Sequence, residues 1–421
     1  MPPGIGSAIR RSPEILRRLL LCAQGVYDLP DLLLSVHDTR RRPRVSTFAV
    51  LSSVLMLFWT RMASLHALEQ TRQQSLWTRW MGHWSPSADT VGRVCSQLEL
   101  PELREVLYEL YSRFRRNKLF ARPRTELIAL ILDGHESSAS YRRHCAGCLQ
   151  RRMVIGGEQR VQFYHRSVMA QLQVGDVTFL LDTEPQAPHE DEVAAALRLL
   201  LRVVSRIPRA FEVVLVDGLY ARAEFFRAAR ARGKEVIAVL KDDRRDLLQD
   251  ALGLFATIQP IRERDGSTER LMWDLDGFGS WEAMGRPVRV VRSRETTTWH
   301  SQADGSEQTR VADWLWVTTL SSARAGTHRL VELGHRRWAI ENHGFNELVK
   351  HWHADHLFHH HPTAIQCFWL MVMMAYNLFH AFVDRQIRAA SRLRHTCLYW
   401  ASRIAADFYG SAPVEPWSLP P

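Results

Sequence analysis

Through the first 124 positions apolar residues recur at three- and four-residue spacing, as in TFAVLSSVLMLFWTRM and PELREVLYELYSRFRR. That period predicts a helical region over 1–124, with a cap-like break at 85–87. From 125 to 242 the texture changes. LIALILDG and FEVVLVDG are continuous apolar runs closed by Asp-Gly, and they read as buried strands ending at Asp133 and Asp217. Between them RVQFYHRSVMAQLQVGDVTFLLD reads as two strands joined at Val174, Gly175 and Asp176, followed by the helical pattern EDEVAAALRLLLRVVSRI. A helix in ARAEFFRAARARG and a strand in KEVIAVLK complete the stretch. The predicted order is strand, strand, strand, helix, strand, helix, strand: an α/β fold with helices packed on a mixed sheet.

Residues 243–322 turn to polar loops and short strands such as RPVRVVRS and DWLWVTTL, with Trp273, Trp281, Trp299, Trp314 and Trp316, and read as a β-rich insertion. Helical periodicity returns over 323–409, and 410–421 form a Pro-rich tail. The apolar run CFWLMVMMAYNLFHAF carries Asn377 and His380 and falls short of the roughly 20 residues a membrane span needs, so a buried helix is expected there and no membrane partner. The N-terminus lacks the apolar core of a secretion signal, and six scattered cysteines make no disulfide framework. A reducing, cytoplasmic setting is expected, associated with the nucleoid if DNA is the partner.

Charge narrows the partner. A net charge of +10, with arginine clusters RRRPR at 40–44 and RFRR at 113–116, suits a polyanion. The 421 residues and 46% hydrophobic content allow two or three packed domains.

The acids carry the candidate chemistry. A lone Asp-Gly is a common turn signal, but Glu341 in HRRWAIENHGFNELVK adds a third acid. On a regular helix Arg337 and Glu341 share a face that Phe345 and Leu348 continue, directing the acid toward the protein body. Three converging carboxylates suit hard divalent ions, which in pairs stabilise the attacking and leaving oxygens of a phosphoryl displacement.

On ILDGHE, VLVDGLYARAEFF and RRWAIENHGFNELVK, and over most of its length, the sequence resembles insertion-sequence DDE transposases whose RNase H-like core carries a β-strand insertion between the second and third acids. The resemblance implies an RNase H-like mixed sheet with an inserted β-rich subdomain, flanked by helical N- and C-terminal regions. It implies that Asp133, Asp217 and Glu341 are catalytic and hold Mg²⁺ or Mn²⁺, two ions in all. It further implies cleavage of transposon ends and strand transfer by a homodimer on double-stranded DNA, both terminal inverted repeats and target. The rival expectations are a nuclease of the same fold without strand transfer and an inactive, transposase-derived DNA-binding protein. The family's third motif places Tyr three residues before its Arg and Lys seven after its Glu; Arg337 and Glu341 match, whereas Gly334 and Leu348 stand at the outer positions. Arg336, Arg337, His343 and Lys350 are candidate DNA contacts, although Lys350 faces away from Glu341 on a regular helix. An insertion tryptophan, Trp273, Trp281 or Trp299, is a candidate to hold a flipped base on the strength of the resemblance.

Other residues compete for attention. Cys145 and Cys148 have half of a zinc spacing, with His144 and His165 as completions. His356, His359 and His360 have helix-compatible spacing and read as a structural or DNA-facing cluster. Asp182 is the runner-up for the second acid, and Glu136 is a supporting acid beside Asp133.

Overall fold

The structure is a computed structural model describing residues 14–121, 126–175, 177–241, 245–301 and 304–410; all of the Pro-rich tail after Gly410, and Asp176, lie outside the described residues. The chain divides into two compact units. One comprises the residues to Leu119, the segment Ser140–Gly147 and the residues from Glu347 onward; the other comprises Phe120–Ala139 and Cys148–Asn346.

The first unit is helical. Ser46, Ser64 and Ser87 each accept a hydrogen bond from a backbone N–H in the first turn of the helix they precede, which fixes the starts of Thr47–Trp59, Leu65–Thr71 and Ala88–Ser96. At its centre runs Pro362–Gln386, long and apolar enough to cross a membrane but 94% buried over its most apolar stretch. It packs on Thr47–Trp59, Ala88–Ser96 and Leu100–Arg116, and Trp59 Nε1 donates to the Ala375 carbonyl at 3.1 Å. A polar cluster interrupts this core. Glu347 Oε1 accepts from His380 Nε2 at 2.7 Å and from Trp352 Nε1 at 3.2 Å, while the Arg61 guanidinium stacks on Trp352.

The second unit is built on one ten-stranded mixed sheet. Its strands are β1 (Ala129–Ser140), β2 (Leu149–Ile155), β3 (Glu158–Val174), β4 (Val177–Pro185), β5 (Val213–Val216), β6 (Glu235–Val239), β7 (Ile261–Asp265), β8 (Thr268–Phe278), β9 (Val288–His300) and β10 (Glu307–Thr318). The order is β2-β3-β1-β5-β6-β10-β9-β8-β7, with β4 paired to β3. Strands β4, β3, β1, β5 and β6 make the RNase H-like core, in which β1, β5 and β6 are parallel. Helix Glu192–Arg206 packs on β3 and β4, Ala223–Arg230 on β6, and Thr327–Arg336 on β5, β6, β8 and β9.

Four local expectations change. There are four strands before the first core helix, because β2 pairs with the start of β3 through Gly156 and Gly157, both at positive φ. That Gly-Gly is a hairpin signal, but β2 is exposed along most of its length and so lacks the apolar alternation by which a half-buried strand is read. Strand β1 does not stop at Asp133 but continues to Ser140. The inserted segment opens with a helix, Arg245–Phe255, and its strands are long; β10 pairs antiparallel with β6, so the insertion extends the core sheet instead of forming a separate layer. The His351–361 stretch is not helical between Trp352 and Pro362, so the histidine spacing does not describe one helix face.

The insertion is tied to the next helix by a buried ion pair. Arg289 on β9, 2% exposed, donates from Nε to Asp274 at 2.8 Å and from Nη1 to the carbonyls of Leu320 and Ala325. Thr327 Oγ1, at the start of helix Thr327–Arg336, donates to the same Asp274. Arg289→Ala leaves the part-buried Asp274 carboxylate without its cation and two carbonyls without their donor, and is expected to lower unfolding free energy by about 3 kcal/mol in a denaturant titration.

In the helical unit, burial alone would lower the His380 pKa, but hydrogen bonds to Cys397 and Glu347 outweigh it and push it up to about 9. His380 therefore holds its proton more tightly folded than unfolded. Its contribution is complete below the unfolded value of about 6.5 and is lost as pH rises through the folded one. The wild-type melting temperature, followed by circular dichroism, is expected to fall across this window relative to that of His380→Gln.

Candidate active site

Strand register sets the first two acids. In the parallel β1–β5 pair Ile131 stands opposite Leu215, so Asp133 and Asp217, each two residues further on, reach the same level on neighbouring strands and project to the same side. Asp217 follows the last residue of β5, as expected, whereas Asp133 sits mid-strand in β1.

The two glycines that follow are more than turn residues. A Cβ on Gly134 would fall 2.2 Å from Glu192 Oε2, and one on Gly218 would fall 2.8 Å from Lys241 Cδ. Each glycine admits a charged side chain against the backbone beside its aspartate. Glu192, 8% exposed, accepts from Tyr220 Oη at 2.6 Å and from Arg166 at 3.1 Å. Lys241 Nζ donates to Asp217 Oδ2 at 2.9 Å. Neither Glu192 nor Lys241 stands out in the sequence. Glu192 follows the N-cap Asp191, where an acid is ordinary on helix-dipole grounds, and Lys241 is a lone cation after a strand.

Glu341 arrives on an irregular element. Helix Thr327–Arg336 leads into a π-helical turn over Ile340–Phe345, in which the Asn346 N–H reaches back to the Glu341 carbonyl, before α-helix resumes at Asn346–Trp352. The regular-helix phase used to orient Phe345, Leu348 and Lys350 therefore does not apply across this turn. Gly344 and Phe345 seat the turn on the sheet: a Cβ on Gly344 would meet the Gln171 side chain at 2.7 Å, and the Phe345 ring stacks on His135 with centroids 4.6 Å apart.

Arg337 joins the acids. Its side chain is 6% exposed, and Nη1 lies 3.1 Å from Asp133 Oδ2 and 3.0 Å from Glu341 Oε1. Burial pushes the Asp133 carboxyl up to about 6, with Glu341 and Glu192 adding to the rise and Arg337 and the Gly134 N–H opposing it. Burial would also raise Asp217, but Lys241, the Gly218 N–H and Arg337 hold it below the ordinary carboxylate range. Two neighbouring acids are thus driven in opposite directions by their surroundings.

The remaining candidates are scattered. Arg336 pairs with Glu126 at 3.2 Å, while His343 and Lys350 are exposed. Asp182 is fully buried against Arg202, and Glu136 pairs with Arg151. Trp281 is buried against Phe226, Trp273 lies beneath Arg292, and Trp299 is 44% exposed. Gly334, at the motif's tyrosine position, is closed off: a Cβ there would fall 2.4 Å from the Trp316 indole, which stacks on Trp314. Leu348, at the motif's lysine position, is a core residue of the helical unit. Cys148 Sγ lies 3.3 Å from His165 Nε2.

No curated protein matches the chain. The family model described as transposase DDE domain matches residues 127–378, more than half of the sequence and a span within which Asp133, Asp217 and Glu341 lie. Its span opens just before β1 and closes within the central helix of the helical unit, and on that match the chain belongs to the DDE-domain transposases.

Proposed function

We propose that the protein is a metal-dependent DNA transposase that cleaves transposon ends and transfers the freed strand, with Asp133, Asp217 and Glu341 as its catalytic, metal-holding acids. The observation that carries the reading is the bridging of Asp133 and Glu341, from a strand and a distant helical turn, by one buried guanidinium, with Asp217 in register beside them. All the ligand atoms offered are carboxylate oxygens, which hard divalent ions prefer. Asp133 is pushed toward its neutral form by burial and by neighbouring acids, which marks a place where added positive charge relieves unfavourable energy. The donor set therefore fits Mg²⁺ or Mn²⁺, two ions in the full reading, held by Asp133, Asp217 and Glu341. Such ions, when bound, activate the attacking oxygen and stabilise charge on the leaving oxygen in phosphoryl displacement.

The chain's own groups would do the rest. Asp133 and Asp217 are fixed by strand register, so little reorganisation is needed at the moment of reaction. Lys241 keeps Asp217 ionised, and Tyr220 and Arg166 hold Glu192 beside Gly134. Arg336, Arg337, His343 and Lys350 are the proposed phosphate contacts, which position DNA without reading its sequence. The N-terminal helices with the 40–44 and 113–116 arginines would bind the element's ends, and joining two ends calls for a homodimer on DNA, with the terminal inverted repeats and target DNA as partners. Localisation would be cytoplasmic, at the nucleoid. The filled space at Gly334 and the buried Leu348 favour one second reading, a DNA-binding derivative that has lost chemistry with the motif's outer residues.

A plasmid carrying the gene with its own flanking DNA separates these readings. The wild type is expected to nick at the flanks and join 3′ ends with Mg²⁺. Glu341→Gln is expected to bind the same DNA while cleaving at least about a hundredfold more slowly, the scale of losing a group that stabilises transition-state charge. Nicks without joined products would make the protein a nuclease of this fold. Binding without cleavage by either protein would leave the DNA-binding derivative. Gly134→Ala is a second probe, since its methyl collides with Glu192 next to Asp133. Its cleavage rate is expected to fall while DNA affinity in a gel-shift titration stays at the wild-type value.

A further inference from the structure

Three cations stand among the acids, and they differ in one respect. The side chains of Lys241 and Arg166 are 56% and 36% exposed, but that of Arg337 is 6% exposed. Arg166 also faces two carboxylates, Glu136 and Glu192, through different nitrogens, whereas in Arg337 one Nη1 atom serves both Asp133 Oδ2 and Glu341 Oε1, two of the three proposed metal-holding acids. A guanidinium built to stay with a carboxylate usually engages it with two parallel N–H bonds. Here the fork is not used that way, and Nε is buried with no hydrogen-bond partner among the described residues. A buried, unmet donor is unfavourable, so this arrangement is a poor permanent fixture. It does supply positive charge between two carboxylate oxygens, one of them on each element that must meet.

Resting on the transposase reading, we propose that Arg337 is a resident counter-charge that holds Asp133 and Glu341 together until a divalent cation takes its place, and that the displaced guanidinium then serves a DNA phosphate. The route outward is present. The Arg337 guanidinium carbon lies 4.2 Å from the ring centroid of Trp338, and that indole is 37% exposed, so the guanidinium can turn toward solvent while keeping an aromatic face beneath it. Metal and DNA then favour the same state of one side chain. Each must strengthen the binding of the other by the same factor, because the coupling is a free energy shared between the two sites. Arg337 is in this sense a positioning residue whose position reports metal occupancy.

The test is Mn²⁺ binding, followed by electron paramagnetic resonance, to the full chain of the wild type, Arg337→Ala and Arg337→Lys, alone and with a random-sequence duplex. Without DNA, Arg337→Ala is expected to bind Mn²⁺ about tenfold more tightly than the wild type, because no resident cation has to be displaced. In the wild type, saturating Mn²⁺ is expected to steepen the dependence of duplex affinity on salt by a slope of about 0.9, one added phosphate contact. The alanine variant is expected to show no such change. Arg337→Lys keeps a charge without the planar fork and is expected to bind Mn²⁺ with intermediate affinity; it carries the test if the alanine variant does not fold. Weaker Mn²⁺ binding by either folded variant would show that Arg337 orients the ligands instead of standing in for metal, and would overturn the proposal. Equal affinity in all three proteins would overturn it too, while leaving the transposase reading intact. If the wild type binds no Mn²⁺ with or without duplex, the metal-dependent reading itself fails, and the inference fails with it.

Discussion

A carboxylate as enclosed as Asp133 does not sit beside a second one without a counter-charge, and the buried Arg337 guanidinium supplies that charge between Asp133 and the more exposed Glu341. Asp133 is fixed by a strand buried in a ten-stranded sheet, while Glu341 comes from a helical segment far along the chain. The intervening segment includes the whole insertion, so the contact closes a long loop. Local propensity does not enforce such a closure; packing and charge do. Even with Arg337 beside it, burial pushes the Asp133 carboxyl up to about 6, with the neighbouring acids Glu341 and Glu192 adding less.

Around that contact, the geometry depends on where atoms are missing. Gly134 lets Glu192 lie against β1, Gly218 lets Lys241 lie against the end of β5, and Gly334 lets Trp316 lie against the helix that leads to Arg337. In each case the neighbour comes from a different element: a helix start, a strand end and an inserted strand. The glycines are thus fixed by close approach and not by a left-handed backbone, since none of the three has positive φ. The Trp316 contact also explains why the motif's tyrosine has no room here: an indole delivered from β10 already occupies the space.

The insertion shapes the site through the same sheet. Because β10 pairs with β6, Trp314 and Trp316 come beside the helix Thr327–Arg336, and His335 of that helix packs edge-on against both indoles while bonding Glu295 of β9 at 2.7 Å. Arg289 and Asp274 fasten the same helix at its start. The inserted strands therefore act as a wall against which the third acid's helix is set.

Local sequence alone determined a good deal. The buried apolar runs that lead into Asp133 and Asp217, though not the continuation of β1 to Ser140, together with the helical N-terminal region and the apolar helix near 367–382, were legible because their apolar periods are strong over many residues and need no partner to be recognised. The three acids were legible as candidates because carboxylates at the ends of apolar runs, with a third on a basic helix, are chemically unusual together. Three things were decided only by tertiary structure. β2 is exposed on both faces and gains its place from pairing with β3. The π-helical turn at Glu341 is set by Gly344 and Phe345 packing on Gln171 and His135, which no helical wheel contains. Glu192 and Lys241 enter the site because folding places them against two glycines. A charge at a helix start or a strand end looks the same in sequence whether it meets solvent or an aspartate, and only the packed chain decides which.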